Sequence, residues 1–556
     1  MVPSPTSTRQ HTPARKLATD AVPTPRTEPP GEECYRGDSP GVTHGNDPTD
    51  GEQHLNVSAQ GSNGLYEACA NLLQHIAELA GTIPFAACPT PEEIAQALPG
   101  DDLVLMPISL PGGETAWISY LETIADEERM WTEVVKPLVS GTVQPASLPR
   151  AESIKNWNDL QHRLLAGCIV LLPATGSPLG IEMVGIQQRT VGEPTTERQI
   201  IGPKEAFVEK LEANVGLIRN RLRDPALRIE YHVVGRRSRT RVALLYLEDV
   251  ANPEVVKRTR AGLRSIAVDF IRTEMDVAEL TFQHGWSTFP LVEQTERPDR
   301  VAHGLSQGRI ALIVEGLPFV LVVPVTFMAL QHDGESALPG PLIGIFVRLL
   351  RLSGLFMSVA LPGAYVAVLS ADPLVLPAPL ARTLAATRLA IPYPVATEVI
   401  LMLVTADILA EATAQSASAI GNALAIVGTL IVGQLMVQAH LASSLLMIVV
   451  AISIMGSFLT LKFTVSYAIR IWKYAFVLLG AIGGLFGLFT GLLVLLIHLA
   501  SLESAGVPYL APIAASRGAS AAIRAVMPPS RGQVRRRPAE YQPRQSVAAR
   551  KRGRRP

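Results

Sequence analysis

Three carboxylates interrupt an apolar stretch in the C-terminal half of the sequence, with Glu398 and Asp407 inside it and Glu411 just beyond it. A carboxylate at the centre of a bilayer costs on the order of a few kcal/mol, so intramembrane acids pair with bases or line a polar path between helices. The alternatives for these acids are pairing with Arg348 or Arg351, or exposure at a helix end. We expect them to be the intramembrane acids of a membrane protein.

A second group of polar and small side chains lies on the next apolar segment, residues 420–437. These residues are Gly421, Asn422, Gly428, Thr429, Gly433 and Gln434. Asn422 and Thr429 are seven residues apart and therefore share one face of a helix. In a ring of identical subunits this face would line a narrow pore. The alternative is that the small residues serve only close helix packing.

The sequence gives no indication of enzyme chemistry. We find no GxxxxGK[ST] phosphate-binding loop, no GxGxxG after a strand and no HExxH. The cysteines show no CxxC pair and no metal-binding spacing, a pattern typical of a reducing compartment. They are Cys34, Cys69, Cys88 and Cys168. We therefore expect a protein that is not an enzyme and that needs no cofactor and no metal.

Hydrophobic helices would position the acids and the polar segment. Residues 342–499 predict an all-α polytopic membrane domain of four or five segments. The segments are residues 352–369, 394–409, 420–437, 446–463 and 474–499. The last segment has no formal charge and, as one helix, would cross a hydrocarbon core of roughly 30 Å. Its glycines recur at helical spacing, and we expect them to let another helix approach closely. They are Gly480, Gly484, Gly487 and Gly491.

The sequences before and after this domain are both soluble in composition, and this constrains the number of membrane crossings. The N-terminal region has no signal-like apolar run, and the tail after residue 515 holds twelve Arg and Lys residues against one acid. Both features favour the cytoplasm, so the number of crossings should be even, and a re-entrant second segment gives four. The tail charge could suit nucleic acid, but we expect it to lie near anionic lipid and expect no nucleic-acid partner.

The soluble part predicts two small α+β domains, residues 62–192 and 193–330, with disordered tails at 1–61 and 515–556. The first tail is rich in Pro, Thr, Ser and Gly and buries too little apolar surface to offset chain entropy. Hydrophobic periodicity predicts helices at 65–79, 127–138, 204–222 and 254–266, the last of them capped by Asn252. It predicts strands at 103–108, 117–121, 167–173, 241–247, 310–314 and 319–323.

Several short stretches match those of a known protein family and occur in the same order. In the soluble part they are Glu193–Glu197, Gly202–Phe207, Leu217–Arg219, Arg239–Leu247, Ala251–Pro253, Thr295–Asp299, Gly308-Arg309, Pro318–Val320 and Val323–Phe327. In the apolar part they are Ile420-Gly421, Gly433-Gln434, His498–Leu502 and Gly506–Pro512. On these stretches, residues 63–512 resemble the A subunit of the GerA-type spore germination receptor family.

The resemblance implies a subunit of a nutrient germinant receptor in the spore inner membrane, with its N-terminal domains in the cytoplasm or spore core. It implies a transporter-like B subunit, a lipoprotein C subunit, further copies of the same chain and membrane lipid as partners. It also implies an oligomeric ion channel whose open state is favoured when nutrient binds the partner. Two hypotheses stay open: a nutrient-gated channel subunit lined by residues 420–437, and a non-conducting scaffold or signalling subunit of the same complex.

Overall fold

The computed structural model describes residues 84–85, 88–111, 113–185, 192, 194, 197, 202–282, 287–331, 341–415, 431–459, 462–511 and 537–546. The predicted tail at 1–61, the predicted helix at 65–79 and most of the predicted pore segment lie outside these residues. The described residues belong to one compact unit, Ile76–Pro556.

The first sheet has five antiparallel strands in the order β1-β2-β4-β5-β3. The strands are β1 Leu103–Ser109, β2 Thr115–Leu121, β3 Ala151–Ser153, β4 Cys168–Leu172 and β5 Leu179–Glu182. The helices are α1 Pro91–Ala97, α2 at 127–139, whose middle is the π-helical Met130–Val135, and α3 Trp157–Leu165. Thr90 and Asn156 cap α1 and α3 by accepting from backbone N–H groups of the first turn. The strands and the helix predicted for residues 103–173 are confirmed.

The second sheet repeats this arrangement with the strand order β6-β7-β9-β10-β8, again antiparallel throughout. The strands are β6 Leu227–Val234, β7 Thr240–Leu247, β8 Glu293–Thr295, β9 Ile310–Val314 and β10 Val320–Val323. The helices are α4 Leu211–Arg221, α5 Pro253–Ser265, α6 Glu274–Phe282 and α7 Pro298–Ser306. Both faces of β7 are buried: Ala243 and Leu245 join the core under α4 and α7, whereas Val242 and Leu244 join the core under α5 and α6.

The helix predicted over residues 204–222 is shorter in the structure, because α4 begins at Leu211. The side chain of Asn214 accepts from the backbone N–H of Val208 and donates to its carbonyl, which holds the preceding residues in a non-helical loop. The apolar residues of the predicted face are buried all the same; they are Phe207, Leu211, Val215 and Ile218. The predicted cap of α5 is confirmed, since Asn252 accepts from the N–H of Glu254.

A buried ion pair joins the two sheets. Arg219 on α4 donates two hydrogen bonds, of 2.9 and 3.0 Å, to the carboxylate of Asp102 beside β1. Both side chains are withdrawn from solvent. A Cβ on Gly216 would lie 2.4 Å from the carbonyl oxygen of Thr123, so glycine permits this close approach of α4 to the first sheet.

A helical region follows the second sheet. Its helices are α8 Phe327–Gln331, α9 Pro341–Ser370, α10 Ala378–Arg388, α11 Val395–Gln415, α12 at 431–438, α13 Ser444–Phe458 and α14 Phe463–Ser501. Among the described residues, two helices are long and apolar enough to cross a membrane, over Leu342–Ser370 and Thr464–Ser501, and Ser444–Phe458 is a shorter apolar helix. α9 begins well before the predicted residue 352, and α11 extends past the predicted residue 409.

α14 folds back on itself at Gly484, which has φ 56° and ψ −141°, a conformation that glycine alone adopts without strain. Residues 463–483 form the first arm and residues 485–501 the second. The rings of Trp472 and His498 lie 5.6 Å apart between centroids, whereas a straight helix would separate these residues by about 40 Å. The prediction of one uninterrupted crossing over residues 474–499 is therefore wrong.

The turn is completed by Asp372, which follows α9. Its carboxylate accepts a hydrogen bond of 2.8 Å from the backbone N–H of Leu485. An acidic side chain at this position satisfies a free N–H of the second arm and complements the positive end of its dipole. The second arm thus has its own N-terminal cap, as an independent helix would.

The end of the chain returns to the second sheet. A small hairpin, β11 Glu503–Ser504 and β12 Val507–Pro508, follows α14. Within the tail that was predicted to be disordered, residues 537–546 contain a 3₁₀ turn at Ala539–Tyr541, and Tyr541 is buried. The prediction of disorder is wrong for this segment.

Candidate functional site

Buried charges fasten the second sheet to the start of α14. The charged joint, as we name this cluster, consists of Glu197, Glu293, Arg300, Arg309 and Lys462. Lys462, directly before α14, pairs with Glu197 and lies 3.5 Å from Glu293. Arg309 lies 2.7 Å from Glu293, and Arg300 lies 2.8 Å from Glu197. The five side chains are at most 14% exposed, so water screens these charges poorly.

The ionisation of Glu293 depends on the basic side chains around it. Burial by itself would raise the pKa of the Glu293 carboxyl, but Arg309, Lys462 and Arg300 outweigh it and hold that pKa well below its usual range. Glu293 is therefore ionised at neutral pH. Removing one partner from such a buried cluster leaves an uncompensated charge and costs about 3–5 kcal/mol.

An aromatic layer lies beside the charged joint and connects the loop before β8, α8, both arms of α14 and the C-terminal hairpin. Its members are Phe289, Phe327, Trp472, His498 and Tyr509. The ring of Phe289 lies 6.2, 6.3 and 6.4 Å from those of Phe327, His498 and Tyr509. Both arms of α14 therefore pack in this layer, the first through Trp472 near its middle and the second through His498 near its end.

A second set of charges lies between α11 and the first arm of α14. Asp407 accepts from the hydroxyl of Tyr474 at 2.7 Å and from Lys473 at 3.3 Å, and Arg470 lies 3.8 Å away. Arg470 is also 3.6 Å from Glu411. The acids expected in the apolar segment are therefore placed at a helix contact, and their basic partners here come from α14.

Glu398 has a different environment near the start of α11. It is fully buried; its carboxylate accepts from the backbone N–H of Ser443 at 2.7 Å and lies 3.1 Å from Arg388. The hydroxyl of Ser443 caps α13 and lies 3.0 Å from that of Tyr365. Glu398 thus fastens the N-terminus of α13 to α11, where a negative charge is favourable.

The predicted pore-lining positions are only partly described. Gly421, Asn422, Gly428 and Thr429 lie outside the described residues. Gly433 lies on α12 and is buried; a Cβ there would come 2.8 Å from the methyl carbon of Met447 on α13. Within one chain, Gly433 therefore contacts a neighbouring helix.

The glycines of α14 serve three kinds of contact. Gly480 meets α9, since a Cβ would lie 2.5 Å from the carbonyl oxygen of Gly363, and Gly484 forms the turn. Gly487 and Gly491 meet Leu479 of the first arm. The sequence predicts that all four face another helix.

One close contact between helices, that of α9 with α13, is not among the sequence predictions. A Cβ on Gly456 of α13 would lie 2.3 Å from the carbonyl oxygen of Gly354 on α9. Glycine within an apolar helix was the available signal for both residues. The density of glycines points only to the last segment, which holds the densest run of them, and not to this pair.

Two further observations bear on chemistry. Residues 304–308 read G-L-S-Q-G and match the pattern of a nucleophile elbow, which requires a serine at a strand-to-helix turn. Here Ser306 is the last residue of α7, and its hydroxyl donates to the carbonyl of Ala302 at 2.9 Å. Within the described ranges, no group of three or more His, Cys, Asp or Glu residues is placed to hold a metal ion.

The architecture is that of a protein in which two α+β sheets are clamped to a bundle of apolar helices. Residues 92–539 match a family described as Bacillus/Clostridium GerA spore germination protein. Spore germination protein KA of Bacillus subtilis (strain 168) is 32% identical over 392 residues, 70% of this chain and 72% of that protein. Uncharacterized membrane protein YfkQ of the same strain is 29% identical over 426 residues, 74% of this chain and 83% of that protein.

A solved structure is also similar. It is the crystal structure of the N-terminal domain of the A subunit of the Bacillus megaterium spore germinant receptor GerK3, at 25% identity and a TM-score of 0.34, covering 44% of this chain and 98% of that one. The family match extends over most of the chain, and the chain therefore belongs to the GerA family of spore germination proteins. The resemblance inferred from the sequence is confirmed.

Proposed function

We propose that this protein is the A subunit of a nutrient germinant receptor in the spore inner membrane, and that several copies form a nutrient-gated ion channel. Its partners would be a transporter-like B subunit and a lipoprotein C subunit. Family membership supports a part in germination, and the name of the relative YfkQ supports a membrane location. The observation that carries the proposal is a bundle with paired charges inside and apolar side chains outside.

The outer surface of the bundle supports a lipid environment or contacts with further copies. Large apolar side chains are exposed at the end of the first arm of α14 and along its second arm, namely Ile482, Phe486, Phe489, Leu493 and Ile497. A contiguous exposed patch of this kind is typical of a membrane or protein contact. Because α14 turns back at Gly484, the C-terminal tail and the soluble domains would lie on the same side of the membrane. The hairpin supports an even number of crossings, because each of its two arms would cross the membrane once.

Residues 420–437 remain our proposed pore lining, with Asn422 and Thr429 on the inward face. The charged joint gives a physical route for gating, because a rearrangement of the soluble sheets on nutrient binding to the B subunit would displace α14. Only a difference in free energy between the open and closed arrangements can shift their populations. The joint is where this difference would arise.

Ion flux across liposomes containing this chain with its B and C partners tests the proposal. Thr429→Ala and Asn422→Ala should change the ion flux in the absence of nutrient, in its presence, or in both conditions. Thr429→Trp should block the flux that nutrient induces. Ile448→Val is the matched control, since Ile448 is 57% exposed on the outside of α13. If flux is independent of residues 422 and 429 while the complex assembles, the alternative holds, and this chain is a non-conducting scaffold or signalling subunit.

A further inference from the structure

The C-terminal segment, residues 537–546, is bound to the second sheet by backbone contacts. The N–H of Arg544 donates to the carbonyl of Val250 at 2.8 Å, and the side chain of Arg537 donates to the carbonyl of Ser306 at 2.9 Å. The N–H of Arg537 donates to the carbonyl of Ser546 at 2.8 Å, which closes the segment into a loop. These bonds resemble those of a peptide ligand more than those of a loose tail.

Tyr541 anchors this loop. Its side chain is 3% exposed, and the guanidinium of Arg309 lies 5.6 Å from the centre of its ring. Its hydroxyl bonds to Thr326, where the chain leaves the second sheet toward the helices. Buried aromatic residues next to arginine are typical anchors of peptide interfaces.

We propose that the surface formed by Val250, the end of α7 and Arg309 is a peptide-docking site, and that residues 537–546 of the same chain are its occupant. The site takes a short segment with a central tyrosine, a following proline and flanking arginines. Gly308 provides the space for that proline, because a Cβ at residue 308 would lie 3.1 Å from Cβ of Pro543. This assignment does not depend on the channel proposal.

The docked segment contacts the charged joint through Arg309, which belongs to the joint and also to the docking site. Arg309 packs on Tyr541 and also pairs with Glu293, which in turn lies next to Lys462. The Nε of Arg309 donates to the carbonyl of Pro324 at 2.8 Å. Loss of the tyrosine would free one face of this arginine and expose the cluster to water. The docked segment therefore stabilises the attachment of α14 to the second sheet.

The linker between Ala511 and Arg537 would also reach a neighbouring copy, since 25 extended residues span up to about 85 Å. The structure places the segment on its own chain. Attachment through a linker raises the effective concentration of the segment to the millimolar range. Docking within one chain therefore requires only modest intrinsic affinity.

Hydrogen exchange of the full chain in detergent tests the docking. In the native chain, the amides of Arg537 and Arg544 should be protected, and Tyr541→Ala should bring both to the exchange rate of a free peptide. The same variant should speed exchange in the first turn of α14. Tyr541→Phe keeps the ring and should retain most protection, and Ala539→Ser, at an exposed position of the same turn, should match the native chain.

Two measurements identify the occupant. A chain ending at residue 536 should bind a labelled synthetic peptide of residues 537–546, and should not bind the same peptide with Tyr541→Ala. A photo-cross-linker at Gln542, whose side chain lies 3.4 Å from that of Asn252, should link only segments of one chain when light and heavy chains are mixed. Unprotected amides in the native chain, or unchanged protection in Tyr541→Ala, would overturn the proposal. Cross-links mainly between light and heavy chains would assign the site to a neighbouring copy instead.

Discussion

Trp472 and His498 belong to opposite arms of α14, and their rings lie 5.6 Å apart beside the second sheet. Their contact means that both arms of the hairpin pack in the aromatic layer, the first near its middle and the second near its end, while the turn at Gly484 lies next to Asp372, which follows α9. The hairpin is therefore held at two places by different chemistry. A hydrogen-bonded cap fixes the turn, and packed rings fix the arms.

Gly484→Ala should destabilise the hairpin by about 1–3 kcal/mol, because a side chain is strained at this backbone conformation. The new methyl group would also clash with Asp372, whose Oδ2 lies 2.3 Å from the position of a Cβ. Thermal unfolding of the full chain in detergent, followed by circular dichroism, measures the loss. Gly483→Ala is the matched control: beyond its chain neighbours and its own helix backbone, nothing lies within 4 Å of its Cβ position. It should not lower the melting temperature, because alanine is a better helix former than glycine. Equal melting temperatures for both variants would contradict the reversed turn.

The reversal at Gly484 could not be predicted from the sequence. Length, absence of charge and glycine spacing describe a single long helix as well as two short arms, since both bury apolar residues at the same period. What selects the hairpin is a cap from Asp372 and a ring contact with His498, which are contacts distant in sequence. Six strands, β1, β2, β4, β7, β9 and β10, were predictable because each is a short apolar run bounded by turn residues. The strands β3, β5, β6 and β8 were not predicted; β3 and β8, for example, are three residues long and mostly polar.

The charged joint should respond to loss of a single partner far more strongly than an exposed pair does. Lys462→Met should destabilise the full chain by about 3–5 kcal/mol, since Glu197 and Glu293 would be left buried without it. Adding Glu197→Gln should restore part of the loss, and a double-mutant cycle in urea unfolding measures the coupling. The control is Arg237→Gln, which breaks a pair with Asp269 whose side chains are 84% and 59% exposed and should have almost no effect. Strictly additive losses for Lys462 and Glu197 would contradict the joint.

Acid should weaken the joint through Glu293. The pKa of its carboxyl is below the ordinary value in the folded chain, so its stabilisation is complete above the unfolded pKa of about 4.3 and is lost as the pH falls below it. Urea unfolding of the full chain at pH values from neutral to acidic should show this loss. Glu293→Gln should lower stability at neutral pH and flatten the decline in acid.

Glu182→Gln is the matched control for the pH series, because Glu182 is an exposed acid at the end of β5. Its pH profile should follow that of the native chain. If Glu293→Gln also retained the native profile, the joint would not be the origin of the acid sensitivity.

The repetition of one strand order in both sheets is a further feature that the sequence did not reveal. The hydrophobic runs of β4 and β9 are alike in length and composition, but such runs occur in any buried strand. Pairing order depends on connections that cross the sheet, and no local pattern encodes them. The charged joint was missed for a similar reason: Glu293, Arg309 and Lys462 are ordinary surface residues by type and meet only in the fold.

Asp407 is the acid whose removal should affect the helix bundle most. Asp407→Asn should leave Lys473, which is 5% exposed, without its carboxylate partner, and the helix bundle should unfold at a lower temperature in detergent. The loss should be about 3–5 kcal/mol, as for other buried pairs deprived of one charge. Asp407→Asn combined with Lys473→Met should recover part of it, since both charges are then absent. Glu411→Gln is the matched control on the same helix, because Glu411 is 43% exposed and lies 3.6 Å from Arg470, and it should cost less than about 1 kcal/mol. If Glu411→Gln proved as damaging as Asp407→Asn, the contact of α11 with α14 would depend on total charge and not on this buried pair.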